Sequence, residues 1–251
     1  MISLGQGHIG TWIKLPAIES AQIAAHAGFD FVVIDQEHAP LDVRTVYELI
    51  TVASALGTTP LVRVAAATAP QIQRLLDGGA AGILVPHVDT VEQARAAAAA
   101  VRFPPHGKRG AGGTSRTGHW GLRSRDSYLG SADSVLCVPQ IESREAVENA
   151  AGIAAVEGVD ALFVGAADLG LDIGEAPGSD QVAQLCARAL DAAHEAGIPC
   201  GAATATPEAA VRLLAQGFDS VVVSNDTSML AEAAVSTVRA LRGEAGTDEK
   251  Q

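Results

Sequence analysis

The chain has 251 residues, 48% of them apolar and 18% charged, and a formal net charge of −12. That length is close to the roughly 250 residues of a single (β/α)8 barrel, and the composition excludes a disordered chain. A surface this acidic repels nucleic acid and anionic membranes, so an anionic substrate needs a local source of positive charge.

The opening MISLGQGHIG has no basic segment followed by an apolar run, so no signal peptide is read. No apolar stretch reaches the roughly 18 residues of a membrane span, and the expected location is the cytoplasm. Eight short apolar segments then recur: GTWIKL (10–15), FVVID (31–35), PLVRV (60–64), GILVP (82–86), SVLCVPQIE (134–142), ALFVGAAD (161–168), IPCGAA (198–203) and SVVVSN (220–225). Stretches of helical period separate them. Ile18, Ile23 and Ala24 precede the second segment; Val43, Val46, Leu49 and Ile50 precede the third; Ile72, Leu75 and Leu76 precede the fourth. Thr90 and Gln93 form a capping-box pattern at the start of an Ala-rich helix. Gly28, Gly79, Gly197 and Gly217 each stand between a helix and a strand, as helix-ending glycines do. Strand–helix alternation repeated eight times predicts an α/β fold, a closed (β/α)8 barrel of parallel strands in one domain over 1–242.

One connection breaks the rhythm. Residues 103–133, between the fourth helix and the fifth strand, are rich in Gly, Arg and Ser and carry Lys108, Arg109, Arg116, Arg123, Arg125, His106 and His119. Loops this long in a compact domain are usually functional or disordered. The segment is read as a lid or a subunit contact, anchored by Trp120 and Tyr128. Residues 243–251 are read as a polar tail. The three cysteines include no CxxC, and Cys137 and Cys200 fall within apolar strands while Cys186 falls in a helix. No disulfide framework is expected, and the two strand cysteines, Cys137 and Cys200, read as reduced, buried thiols.

In such barrels the chemistry sits where the strands end. Glu142 closes the fifth apolar segment and Asp168 the sixth. Two carboxylates on adjacent strands either converge on a hard cation, such as Mg2+ or Mn2+, or cap the helices that follow. Gln140 and Glu37 stand next to these positions; Glu37 either hydrogen-bonds water at the cation or faces solvent. His38, after the second segment, is a general-base candidate or a surface residue. Arg63 lies inside LVRV, where an unpaired guanidinium is costly, so it is read as facing an anion in the barrel interior. The small residues Gly165, Ala166 and Ala167 allow a ligand to approach the backbone. Lys14 shares a pleat face with Trp12. It either reaches a substrate aldehyde or carboxylate or extends to the surface.

Five stretches carry a family resemblance: GFDFVVIDQEHAP (28–40), QRLLDGGAAGILVPHV (73–88), RFPPHGKRGAGG (102–113), QIESREA (140–146) and FVGAADL (163–169). The chain resembles the metal-dependent (class II) 2-oxo acid aldolases of the 4-hydroxy-2-oxoheptanedioate aldolase type, which share a barrel with the citrate lyase beta-like proteins. The resemblance implies Glu142 and Asp168 as ligands of a divalent metal (Mg2+, Mn2+ or Co2+). It implies Arg63 at the 2-oxo group, backbone at Gly165–Asp168 for the pyruvate carboxylate, and an acid–base dyad of His38 with Asp77. Asp77 lies before the fourth strand, at the opposite rim of its own barrel, so the dyad requires a neighbouring subunit. The family's homo-oligomers, hexamers built from dimers, fit that requirement. The chain departs from the family pattern at Ala166, usually Pro, at Gly170, often Ser, at Gln36, commonly Gly, and at Lys14, usually small.

The function this implies is reversible cleavage of a 4-hydroxy-2-oxo acid to pyruvate, or a related 2-oxo acid, and an aldehyde. The partners are those small molecules and further copies of the chain, with no nucleic acid or membrane. An oxaloacetate-type decarboxylase, an acyl-CoA ester lyase and a non-catalytic 2-oxo acid binder are the alternatives. A Schiff-base route needs a buried lysine at a strand end. Lys108 and Lys250 lie in loop and tail, which leaves Lys14.

Overall fold

The computed structural model describes residues 4–243. Eight parallel strands close in sequential order into one barrel, as the alternation predicts. They are β1 (His8–Ile13), β2 (Phe31–Asp35), β3 (Thr59–Arg63), β4 (Gly82–Val85), β5 (Leu136–Ile141), β6 (Leu162–Val164), β7 (Cys200–Thr204) and β8 (Ser220–Asn225). The helices are α1 (Ile18–Ala27), α2 (Val43–Ala55), α3 (Ala69–Asp77), α4 (Val91–Val101), α5 (Arg125–Gly130), α6 (Arg144–Glu148), α7 (Ala150–Ala154), α8 (Ala166–Ile173), α9 (Asp180–Glu195), α10 (Pro207–Ala215) and α11 (Asp226–Arg242). Lys250 and the tail beyond Gly243 lie outside the described residues. No described helix is long and apolar enough to cross a membrane.

The period of two in the strands builds two cores. Val32, Ile34, Val62, Ile83, Cys137, Ile141 and Val164 face outward beneath the helices. Trp12, Phe31, Val33, Leu61, Leu84, Val138 and Phe163 fill the interior. The inward set continues up each strand by the same alternation, so Lys14 follows Trp12, Asp35 follows Phe31 and Val33, Arg63 follows Leu61, and Gln140 and Glu142 follow Val138. The apolar lower barrel thus delivers polar residues to its upper mouth.

Local signals behave as read. Thr90 and Gln93 make both capping-box hydrogen bonds. Gly28, Gly79, Gly197 and Gly217 all take left-handed φ. The three cysteines are free and buried. Burial pushes the Cys137 thiol to about 12 and the Cys186 thiol to about 11.

Three expectations change. Ile18 and Ile23 do not face the barrel: α1 buries Ser20, Ala21 and Ala24, while Ile23 is 69% exposed. Small side chains let this helix lie close to the strands, which turns its isoleucines outward. The 103–133 segment is folded through α5 and short turns of 3-10 helix, and it is not a lid over the upper mouth of its own barrel. It wraps the lower rim, where Arg109 pairs with Asp77 at 2.9 Å and Arg116 donates to the Gly78 carbonyl at 3.0 Å. Its anchor is Tyr128, packed on Phe103 with ring centroids 5.3 Å apart, whereas Trp120 is 64% exposed. Finally, β6 stops at Val164, and Ala166 already begins α8.

The last helix is unlike the others. None of the 17 residues of α11 is buried. Leu230, Val235, Val238 and Leu241 form an exposed apolar arc along it. Ile9 on β1, Ile23 on α1 and Val211 on α10 are also exposed on the outside of the barrel.

Candidate active site

The floor of the upper mouth is an ion-pair network on β1, β2 and β3. Asp35 and Arg63 are register partners on β2 and β3. Both are buried and meet side by side: Arg63 Nε donates to Asp35 Oδ1 at 2.9 Å and Nη2 donates to Oδ2 at 2.8 Å. A forked guanidinium–carboxylate pair of this kind fixes orientation as well as charge. Lys14 Nζ lies 3.2 Å from the same carboxylate. The loop after β2 is tied down as well, since the backbone N–H groups of Glu37 and His38 donate to Asp35 Oδ1 at 3.1 and 3.3 Å. Burial alone would raise the Asp35 pKa. The hydrogen bond and charge of Arg63, the charge of Lys14 and the His38 N–H outweigh it and hold the carboxyl below its ordinary range. The Arg63 guanidinium carbon sits 4.3 Å from the centre of the Trp12 ring, a cation–π contact that dries one face of the cation.

Above this floor the carboxylates gather. Glu37 Oε2 lies 3.0 Å from Arg63 Nη1 but out of line for a hydrogen bond, and it is buried without a hydrogen-bond partner among the described residues. Glu37 Oε1 is 3.0 Å from His87 Nε2, and His87 Nδ1 is 3.1 Å from Glu142 Oε1. The His87 backbone N–H donates to the same Glu142 oxygen at 2.7 Å. His87 has φ 55°. Left-handed backbone outside glycine costs roughly 1–3 kcal/mol and is held only where surroundings over-determine it. Here the clamp on Glu142 does so.

Glu142 is buried at the end of β5 and accepts a short hydrogen bond from Gln140, whose own Oε1 is left without a partner among the described residues. Burial raises its pKa above the ordinary carboxylate value. The neighbouring charges of Glu37 and Asp168 add to the rise, while the His87 N–H and ring oppose it. Asp168 is not the last residue of a strand, as read from the sequence, but lies in the first turn of α8. Gly165 caps that helix, and a Cβ there would stand 3.0 Å from the Cβ of Glu142 and 2.9 Å from Gln140 Nε2. Glycine therefore makes room for Glu142. The Gly165 N–H is committed to the Ile141 carbonyl at 3.0 Å. The open donors at this helix start are instead those of Ala166, Ala167 and Asp168, which have no intrahelical acceptor.

These residues form an oxygen-rich mouth whose charges are partly unbalanced. Among the described residues no three His, Cys, Asp or Glu side chains converge as a complete metal centre. Two carboxylates, Glu142 and Asp168, with orphaned oxygens on Glu37 and Gln140 nearby, match what a hard cation takes when water and substrate complete its shell. The strained Glu142 charge is what a cation would relieve.

Most residues singled out in the sequence meet here: Trp12, Lys14, Glu37, Arg63, Gln140, Glu142, Gly165 and Asp168. His38 is at the rim, exposed, with Nε2 3.8 Å from Glu37 Oε2. Asp77 is on the opposite rim, in its ion pair with Arg109, and is not brought to His38 within one chain. The anion facing Arg63 proves to be Asp35, which the sequence reading passed over as a strand residue. The period of two could have found it, because it shares the inward face of Phe31 and Val33. His87 was also missed, and nothing in its sequence context distinguishes it.

The chain matches the family model described as HpcH/HpaI aldolase/citrate lyase over residues 8–233. It is 40% identical over 244 residues to the hydroxypyruvate/pyruvate aldolase of Chromohalobacter salexigens, covering 95% of each protein. It is 34% identical to the 2-keto-3-deoxy-L-rhamnonate aldolase of Escherichia coli K12, over 91% of this chain and 86% of that protein. The crystal structure of an HpcH/HpaI aldolase/citrate lyase family protein from Burkholderia cenocepacia superimposes with a TM-score of 0.89 at 34% identity, over 94% of this chain and 95% of that one. The chain belongs to the HpcH/HpaI aldolase/citrate lyase family, and it is an enzyme of the carbon–carbon lyase class.

Proposed function

We propose that this member of the HpcH/HpaI family reversibly cleaves a 4-hydroxy-2-oxo acid to pyruvate or hydroxypyruvate and an aldehyde, with a divalent cation held by Glu142 and Asp168. The observation that carries the reading is the buried, charge-strained Glu142 beside Asp168, set across the barrel mouth from a fixed Arg63. The relatives named as aldolases of pyruvate and hydroxypyruvate supply the substrate class. A cation there supplies Lewis-acid polarisation of the 2-oxo group and a place for the substrate carboxylate.

The chain's own residues do the rest. Arg63, oriented by Asp35 and dried by Trp12, faces the charge that grows on the keto oxygen as the carbon–carbon bond breaks. Fixed charge of this kind is usually the largest catalytic contribution, because it needs no reorganisation. The free N–H groups of Ala166, Ala167 and Asp168 receive the substrate carboxylate. His38 removes the proton of the C4 hydroxyl, through water, and returns it in the synthetic direction. Glu37, against Arg63 and His87, orders the polar groups between His38 and the cation site. Lys14 is ion-paired with Asp35, the opposite of the desolvated amine that a Schiff base requires.

We further propose a homo-oligomer, a hexamer assembled as a trimer of dimers, in which a neighbour's Asp77 completes the dyad with His38. Two features support it: Asp77 lies on the wrong rim of its own barrel, and α11 has an uncovered apolar arc.

The test is aldehyde-dependent consumption of pyruvate with Mg2+, Mn2+ or Co2+, in the presence and absence of EDTA and of borohydride. Loss of activity in EDTA with resistance to borohydride is expected. Activity that survives EDTA, or inactivation by borohydride with pyruvate, overturns the cation mechanism. Release of CO2 from oxaloacetate with no aldehyde reaction would point instead to a decarboxylase, and binding without any turnover to a non-catalytic 2-oxo acid binder.

A further inference from the structure

We infer that Lys14 reads an anionic group on the aldehyde end of the substrate, and so sets which aldehydes this site accepts; the inference rests on the aldolase reading above. Lys14 is the first residue past β1 and follows Trp12 on the inward face of the barrel. Its root is fixed, because the backbone N–H groups of Lys14 and Leu15 donate to Asp226 Oδ1 and Oδ2 at 2.9 and 3.0 Å. Nearby, the register of β1 on β8 slips between Gly10 and Trp12, beside the left-handed Ser224 (φ 53°). Irregularities of this kind re-aim side chains at barrel rims. From that fixed root the side chain reaches over the mouth, where Nζ lies 3.2 Å from Asp35 Oδ2 and 25% of the side chain stays exposed.

Asp35 leaves this ammonium with donors to spare. Its two oxygens already accept the Arg63 fork and the N–H groups of Glu37 and His38. Lys14 adds charge to that carboxylate but, among the described residues, no hydrogen bond. An ammonium carries three N–H groups, so an ion pair with one oxygen does not exhaust it. Arg63, the other cation of the mouth, is gripped by Asp35 and faced by Glu37. Lys14 and Arg63 together balance Asp35 and Glu37. An anion arriving at Lys14 therefore meets open donors over a floor of no net charge, in a chain whose net charge is −12.

Closure of the barrel sets β1 across the mouth from β5 and β6, the strands that carry Glu142 and lead into Asp168. The 2-oxo acid end of the substrate belongs at those carboxylates, with its keto oxygen toward Arg63 on β3. The end that leaves as the aldehyde then extends toward β1 and β2, and Lys14 is the cation standing there. A lysine is a compact point charge without the fork of arginine, so a carboxylate and a phosphate both suit it.

The experiment separates those two anions. Wild type, Lys14→Met, Lys14→Gln and Lys14→Arg are assayed with pyruvate and a divalent cation on matched aldehydes: glyoxylate against acetaldehyde, succinic semialdehyde against butanal, and glyceraldehyde 3-phosphate against glyceraldehyde. The readout is the kcat/KM ratio of the anionic to the neutral member of each pair, at low and high NaCl. In Lys14→Met at least one ratio should fall by about tenfold or more, the range of a lost hydrogen bond to a charged group, and Lys14→Arg should retain most of it. Salt should lower the same ratio in wild type and not in Lys14→Met. Lys14→Gln, polar but uncharged, gives the same comparison if Lys14→Met does not fold. The pair that responds assigns the anion and its distance from the carbonyl. If Lys14 merely supports the Asp35–Arg63 pair, anionic and neutral rates fall together and no ratio moves, which overturns the inference and leaves the aldolase reading standing. A wild type that turns over none of these aldehydes overturns both.

Discussion

Replacing Glu142 by glutamine should make the cation-free protein more stable while abolishing its response to divalent ions. The native carboxylate is buried, lies in the field of Glu37 and Asp168, and has a pKa raised above its ordinary 4.5. The sign follows from proton linkage. Between pH 4.5 and the raised folded value the native state binds more protons than the unfolded chain, so stability falls as pH rises through that window and stays low above it. The amide carries no charge and removes that penalty. Its oxygen can still accept from the His87 N–H, now at 2.7 Å from Glu142 Oε1, and its NH2 can donate to the orphaned Oε1 of Gln140 once that amide turns over. Relief of this size at a functional site is about 1–2 kcal/mol, a rise in Tm of ~2–8 °C for a chain this long. Wild-type protein at a hundred times the Kd of Mn2+ gains about 2.7 kcal/mol, and Glu142→Gln gains almost nothing. Differential scanning calorimetry at pH 7, with EDTA and with Mn2+, reads both effects. The reasoning is refuted if the EDTA-treated variant melts below wild type, or if Mn2+ stabilises the two equally.

Asp35→Asn should act in the opposite direction. It leaves the buried Arg63 with one poor partner, and because Glu37 lies 3.0 Å away to offset part of the loss, destabilisation of about 2–4 kcal/mol is expected in urea unfolding, with a loss of kcat/KM. The folded Asp35 pKa is depressed, so its contribution is complete above the ordinary 3.8 and is lost as pH falls through the lower folded value; the variant should lack that acid-side loss. An unchanged urea midpoint would show that the pair does not hold the floor of the site. Charging the exposed arc of α11, with Leu230→Glu and Leu241→Glu together, should lower the sedimentation coefficient while leaving the far-ultraviolet circular dichroism intact. An unaltered sedimentation profile would mean that α11 is not part of an interface.

The barrel was legible because its signals are local. Strand segments of period two, helical stretches of period 3.6 and helix-ending glycines at Gly28, Gly79, Gly197 and Gly217 each depend on neighbours within a few residues. Element ends were less legible. The ALFVGAAD run reads as one strand, yet Gly165 breaks it and Ala166-Ala167 favours helix, which moved Asp168 from a strand end into the first turn of α8. The inward face of α1 was misjudged for a related reason: close approach to the strands selected Ser20, Ala21 and Ala24 over Ile18 and Ile23, and how closely a helix packs is not written in its hydrophobicity.

The order of strands and helices, the rim where polar residues collect and the inward placement of Arg63 follow from strand period and barrel closure alone, whereas Glu37, Glu142 and Asp168 each kept a second placement, facing solvent or capping a helix, until the barrel was built. Only the tertiary structure decided who meets whom across that mouth. Asp35 joins Arg63 because β2 and β3 place them in register 28 residues apart, and His87 bridges Glu37 and Glu142 because a left-handed turn aims it inward. It also decided that Asp77 is bound to Arg109 on the far rim. Such pairings depend on register, backbone conformation and distance between elements remote in the chain, which no local pattern encodes.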